Sequence, residues 1–519
     1  YHREAIYDGR VNSLSRRYFF YGSLLSGAVP AAGFGSIASL KALGYKPFYN
    51  KLNVAAIGCG GQGGVILNQA AATENIVALC DVDLARGEPN IKKFEKLPLY
   101  RDYRVMLDKE GSKIDAVTIA IPDFMHATVA LACMQRGKHV YLEKPLTRTV
   151  WEARLLTEAA AKYKVATQMG NQGYSHESHR VAAEILWSGE IGDVTEAHVC
   201  VTPGTHPTGL QGPPPEESVP STLDWQAWLG ASPMRPYSSY YVPYNWRGFY
   251  DFGTGQIGNW ATHTAGPVHH ALMLGSPTSV ECVSQTNPSK LTFPDRATIR
   301  LDFPSRGDMP AVKVFYHDSA RSSDPDVYRV PGMENERILP PPNNLTEKGR
   351  PMGGGRPGGG AAQQGPPRQV PAAGAPRKGA GGPGVKVFGG DRGGPAPGLL
   401  VGNGAVFMGT KGIMATVERG EGVWLLPAAR WAEYKLPPQL LTRSPGHMTD
   451  WVRACKGGEP SCSHFGISGP YAEWLAMAAV AFRVPGKLDW DSKLMRFTNS
   501  PEATKLVRPV FRPGWELKL

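Results

Sequence analysis

A chain of 519 residues is too long for one ordinary core and implies two domains with additions. It is 42% hydrophobic and 19% charged, which excludes a wholly disordered chain, while 61 Gly and 45 Pro point to a low-complexity segment within it. The net charge is +11, but residues 347–400 hold eight Lys or Arg against Glu347 and Asp391, so most of the surplus sits in one stretch and no nucleic-acid partner is expected.

The first feature in chain order is Ser15-Arg16-Arg17-Tyr18-Phe19-Phe20, followed by a run to Leu40 with no charged side chain. Twin arginines ahead of a mildly apolar run read as a twin-arginine (Tat) export signal. The run is long enough to span a bilayer, so it can remain as a tether. Residues 1–50 are therefore assigned to a signal or anchor with its linker. The predicted location is periplasmic or secreted, and the Tat export machinery is an expected partner. That route carries folded passengers, which suits a protein that keeps a bound nucleotide. Of seven cysteines, Cys455 and Cys462 lie near enough in sequence to pair in an exported chain, although two free thiols is the ordinary outcome in a large enzyme.

Residues 51–170 read as a nucleotide-binding unit. Leu52–Ile57 is a buried strand, and Gly58-Cys59-Gly60-Gly61-Gln62-Gly63 follows it and opens an Ala-rich helix to about Thr73. These glycines permit a tight turn and let backbone N–H groups approach a pyrophosphate at a helix N-terminus. Ile76–Cys80 is a second strand ending at Asp81, 23 residues after Gly58. A carboxylate there takes the ribose 2′-hydroxyl and repels a 2′-phosphate, which favours NAD over NADP. Strands at Ala116–Ile121 and His139–Leu142 alternate with helical patterns at His126–Arg136 and Trp151–Lys162, so the sheet is parallel. The expected cofactor contacts are Gly58, Gly60, Gly61, Gln62, Gly63, Asp81, Pro122, Glu143 and Lys144. Lys144 follows a strand end that faces the crevice, where an ammonium can bond a substrate hydroxyl and stabilise its alkoxide.

Residues 171–519 change texture. Val194–Val201, Ser279–Gln285, Ala297–Phe303, Val312–His317 and Ile413–Val417 read as strands of a second, antiparallel sheet with one covered face. Residues 347–398 are dominated by Gly, Pro, Ala and Arg, and are expected to form a flexible insertion. Tyr471–Val484 is an apolar helix expected to pack back on the core.

The glycine fingerprint, Ile121-Pro122-Asp123, Glu143-Lys144-Pro145-Leu146 and Gly189-Glu190-Ile191-Gly192 occur in the order and spacing of the glucose–fructose oxidoreductase / inositol dehydrogenase (Gfo/Idh/MocA) family, which this chain resembles. Trp246 to Gly255 and Trp451 to Gly458 look like its Tat-exported bacterial branch. The resemblance runs from Leu52 to Leu517, apart from the insertion. It implies an α/β chain: a Rossmann domain with a doubly wound parallel sheet, then an α/β domain with a large, mostly antiparallel open sheet. It also implies NAD(P)-dependent hydride transfer to or from a sugar, polyol or sugar derivative, and self-association through the large sheet. By resemblance, Lys144 and His263 are the catalytic pair, with His263 as general base.

The chain departs from that pattern at two positions. Asn259 stands where many members carry Asp, and Gly266 where a second acid is common. Asn259 can accept a hydrogen bond but brings no charge, so His263 needs another acid, for which Asp251 is the candidate. Tyr174, His176, Trp246, Arg247 and Asp251 are candidate substrate contacts. His270 lies seven residues beyond His263 and would share its helical face, but no third ligand is evident and no metal site is expected. These departures leave two further readings open. One is an NAD-assisted glycoside hydrolase or lyase, and the other is a catalytically quiet cofactor-binding or structural subunit.

Overall fold

The structure is a computed structural model, and it describes residues 50–319 and 402–519 with short pieces between 324 and 350 and Gly398. The twin-arginine segment and nearly all of the 347–398 insertion lie outside the described residues.

Lys51–Leu519 forms one compact unit built on two sheets. The first is six-stranded and parallel. Its strands are β1 (Asn53–Ile57), β2 (Asn75–Cys80), β3 (Leu99–Tyr100), β4 (Ala116–Ile119), β5 (His139–Leu142) and β6 (Thr167–Met169), in the order β3-β2-β1-β4-β5-β6. β1, β4 and β5 are almost wholly buried, which is why they read as unbroken apolar runs. The strand order reverses between β1 and β4, and in an open α/β sheet a ligand crevice forms at that switch point. The helices between strands begin where the sequence supplies caps. Asp83 caps Leu84–Lys93, and Thr149 with Glu152 forms a full capping box on Val150–Tyr163.

The second sheet has nine strands: β7 (Val194–Cys200), β8 (Ser279–Thr286), β9 (Arg296–Phe303), β10 (Val312–Asp318), β11 (Gly404–Gly409), β12 (Gly412–Val417), β13 (Gly422–Leu426), β14 (Lys487–Asp491) and β15 (Arg496–Phe497). Their order is β13-β12-β11-β7-β10-β9-β8-β14-β15, and every pairing is antiparallel except β7 with β10. Burial alternates along β9, as expected for a sheet with one covered face.

The two sheets are clamped by the C-terminal part of the chain. The helix Phe465–Ala481 starts earlier than the apolar run at Tyr471 suggests, and it lies against Val150–Tyr163. Arg154 forms a bidentate ion pair with Glu473 across that contact, at 2.6 and 2.8 Å. The Trp451–Gly458 motif is structural. Trp451 is fully buried edge-on to Tyr141, and Lys456 pairs with buried Glu74 at 2.9 Å. All seven cysteines are free thiols, Cys455 and Cys462 included.

Candidate active site

A cleft of about 390 Å³ opens at the β1/β4 switch point. Its floor is the glycine turn. Gly58 has φ +88°, and a Cβ there would collide with the Ala120 carbonyl; Gly63 would collide with the Gly58 carbonyl. These two glycines are therefore needed for strand, turn and helix to approach so closely. Gly61, at φ +54°, is the N-cap of the helix Gln62–Ala71 and offers no side-chain cap. That helix start is left to an outside acceptor, which fits an anionic pyrophosphate. The Arg86 guanidinium lies against the turn, its Nη2 2.7 Å from where a Gly61 Cβ would be.

Asp81 lines the cleft beside the turn. Its carboxylate accepts from the Cys59 N–H at 2.7 Å and the Asp83 N–H at 2.9 Å. Burial nevertheless raises its pKa. The acid thus braces the glycine turn as well as facing the place of a ribose. Arg101, Arg104 and Trp515 complete this end, with the Arg104 guanidinium 4.5 Å from the Trp515 ring.

At the other end Lys144 enters from the tip of β5. Its Nζ donates to both the backbone carbonyl and the side-chain Oδ1 of Asn259, each at 2.7 Å. Asn259 lies in a π-helical turn, Ile257–Ala261, and such winding departs from the regular α-helical ladder and so presents a carbonyl sideways. Asn259 Nδ2 in turn donates to Gln256 Oε1 at 3.0 Å. Burial pulls the Lys144 pKa down to about 8; Glu143 opposes this, while Arg247 and Arg419 add to it. Glu143 accepts from Gln62 and Gln172 at 3.3 and 3.0 Å and from the Lys144 N–H, and burial raises its pKa. His263 also lines the cleft. Burial first, and the nearby charges of Lys144 and Arg419 second, push its pKa well below the ordinary histidine value, and its Nδ1 has no hydrogen-bond partner.

The cleft thus gathers Gly58, Gly60, Gln62, Gly63, Asp81, Pro122, Glu143, Lys144, Trp246, Arg247, Asn259 and His263 from the sequence expectations. Several others are placed differently. Asn259 serves Lys144 rather than His263. Asp251 is not the missing acid: it is exposed and pairs with Arg235 at 2.5 Å, outside the cleft. Tyr174 and His176 do not line it either. Tyr174 is buried against His179, ring centroids 4.2 Å apart, and Gly266 leaves room for its ring. The short turn Gln172–Ser175 sends Gln172 to the cleft instead. His263 and His270 do not share a helical face, because the π turn, Thr262–Thr264 and Gly266–Ala271 are separate segments. His270 stacks on His179 at 5.0 Å, away from the cleft. Sequence reasoning also passed over Arg86, Tyr244, Trp260, Arg419 and Trp515. All five reach the cleft from segments distant in sequence or carrying no motif of their own.

A glycine turn at a topological switch point, with a helix N-terminus and a lysine at a neighbouring strand tip, defines an NAD-binding Rossmann protein. Residues 52–171 match the oxidoreductase family with an NAD-binding Rossmann fold, and residues 208–291 match its C-terminal α/β domain. Both matches are to the Gfo/Idh/MocA family. Over 183 residues it is 27% identical to a glycosyl hydrolase family 109 protein of Solibacter usitatus, covering 33% of this chain and 41% of that one. Over 137 residues it is 31% identical to inositol 2-dehydrogenase 1 of Saccharopolyspora erythraea, covering 26% and 40%. The chain therefore spans about two fifths of the curated relatives it matches. The fold is similar to the crystal structure of GenD2 from gentamicin A biosynthesis in complex with NAD, with a TM-score of 0.50, 16% identity, and 86% and 99% of the two chains covered.

Proposed function

We propose that this protein is an NAD-dependent oxidoreductase acting on a carbinol or ketone of a sugar-like substrate. The observation that carries the reading is a half-buried lysine, with a pKa near 8, in the same cleft as the glycine turn. When bound, NAD supplies the hydride acceptor at its nicotinamide ring. The glycine turn and the N-terminus of Gln62–Ala71 hold its pyrophosphate, and Asp81 favours a free ribose hydroxyl over a 2′-phosphate.

Lys144 handles the proton. In its neutral form it takes the proton of the substrate hydroxyl as the C–H bond breaks, and as the ammonium it returns that proton in ketone reduction. A pKa near the working pH is what such a group needs. Asn259 fixes the Nζ position through two bonds, so little reorganisation is required. His263, whose pKa is depressed, stays neutral and positions the same hydroxyl rather than serving as the strong base. This revises the assignment implied by resemblance, in which His263 is the base.

The test is to denature the purified protein and identify any released dinucleotide, then to follow reduced-nicotinamide absorbance with a panel of sugars and polyols. Absence of bound or bindable NAD would sink the reading. A second reading, NAD-assisted glycoside cleavage, is favoured by the similarity to the family 109 hydrolase. It is told apart by release of an aglycone with no net change in the cofactor. Export through Ser15-Arg16-Arg17 and self-association belong to the proposal too. They are tested by the Arg16→Lys, Arg17→Lys double variant in a cell-fractionation assay, and by light scattering of the purified protein.

A further inference from the structure

The substrate end of the cleft carries two arginines that form no ion pair among the described residues. Arg154, Arg430, Arg443 and Arg453 are half-buried, and each holds a glutamate or aspartate within 2.9 Å. Arg247 and Arg419 are also half-buried and line the cleft, yet among the described residues neither has a carboxylate within ion-pair distance. Arg247 lies over the rings of Tyr244 and Trp246, 4.2 Å from each centroid, and its guanidinium reaches only the Tyr244 carbonyl at 3.4 Å. Arg419, in the turn between β12 and β13, lies over Trp260 at 5.6 Å and makes no side-chain hydrogen bond among the described residues. It lines the same cleft as Lys144 and His263, and its charge lowers the pKa of both.

Asp123 and Glu143 attract Arg247, and Glu418 attracts Arg419, but none of these carboxyls lies within ion-pair distance of either arginine. Glu143 is taken by Gln62, Gln172 and the Lys144 N–H, and Asp123 accepts from the Thr254 hydroxyl at 2.6 Å. Removing a guanidinium from water without a partner costs free energy. A guanidinium held without an ion pair attracts an anionic group. The planar fork of arginine matches carboxylate and phosphoryl oxygens.

We propose that the substrate is an anionic sugar, with its carboxylate or phosphoryl group held by Arg419 and Arg247 while Lys144 meets the hydroxyl to be oxidised. This rests on the oxidoreductase reading above but is tested by binding, which does not need turnover. Calorimetry of the NAD-loaded protein compares a hexose, its uronate and its 6-phosphate, for glucose, galactose and mannose, at matched ionic strength. In at least one set an anionic member should bind ten times tighter than the hexose. The uronate and phosphate arms tell the two anions apart. Arg419→Gln should abolish that preference, bringing the affinity for the anion down to that for the hexose. If the variant does not fold, raising NaCl on the unaltered protein should weaken the anion and spare the hexose.

Equal binding of hexose and anion in every set overturns the proposal. So does a preference that survives both Arg419→Gln and salt. Arg419-dependent anion binding with no change in nicotinamide absorbance would retire the oxidoreductase reading and keep this one. Oxidation of neutral hexoses alone would do the reverse.

Discussion

Asn259→Asp is expected to shift the pH at which carbinol oxidation switches on. In the native cleft Lys144 has a pKa of about 8. The neutral, proton-accepting form is then about one tenth of the population at pH 7 and about nine tenths at pH 9, so kcat/KM for oxidation should rise roughly tenfold across that interval. Ketone reduction needs the ammonium and should fall through the same midpoint. Asn259 Oδ1 lies 2.7 Å from Lys144 Nζ, so a carboxylate there sits in direct contact with the ammonium. An opposite charge at that range raises a lysine pKa by about one to three units. The midpoint should then lie at or above about pH 9, and oxidation at pH 8 should drop about fivefold or more. The assay is the initial rate of NADH formation from pH 6 to 10.5 at subsaturating substrate, with circular dichroism at each pH as a check on folding. If His263 were the base, its depressed pKa would leave it deprotonated throughout, and the native profile would be flat between pH 7 and 9. A flat native profile, or a midpoint unmoved by Asn259→Asp, refutes the assignment of proton transfer to Lys144.

Four further outcomes follow from the same geometry. Lys144→Met should lower kcat/KM by about 10²–10⁴, with NAD still bound by calorimetry; retained activity would remove Lys144 from the chemistry. Gly61→Val puts a side chain at positive φ and against Arg86, so the purified variant should carry no dinucleotide while its circular dichroism is unchanged. Asp81→Asn should narrow the preference for NAD over NADP by about tenfold in fluorescence titrations, since the carboxylate charge that repels a 2′-phosphate is gone. Trp515→Ala should speed NAD release about tenfold in stopped-flow chasing, because an aromatic face beside the nucleotide contributes on the order of 1–3 kcal/mol when a base stacks on it.

Much of the nucleotide-binding half was legible because its information is local. Strand, glycine turn, helix and acid lie within 30 residues of one another, and each glycine answers a steric demand that the sequence already names. The strands β7 to β10 and β12 were legible from alternation. β13, Gly-Val-Trp-Leu-Leu, is buried throughout and β11 nearly so. They show no period of two, and β3 and β15 span only two residues each. Tyr174 and Gln172 show the limit at the scale of one turn. Both sit in a loop that borders the crevice, and only the backbone winding decides which one faces it.

By itself the sequence determined that a dinucleotide turn is present, which cofactor its acid favours, and that a lysine follows the strand facing the crevice. Those properties reside in residue type and short spacing. The tertiary structure decided the electrostatics: that Asn259 holds the lysine, that burial brings its pKa near 8, that Asp251 belongs elsewhere, and that Arg419, without an ion pair among the described residues, arrives from more than 150 residues away. Desolvation and charge pairing depend on what surrounds a group in space, and no spacing rule encodes that.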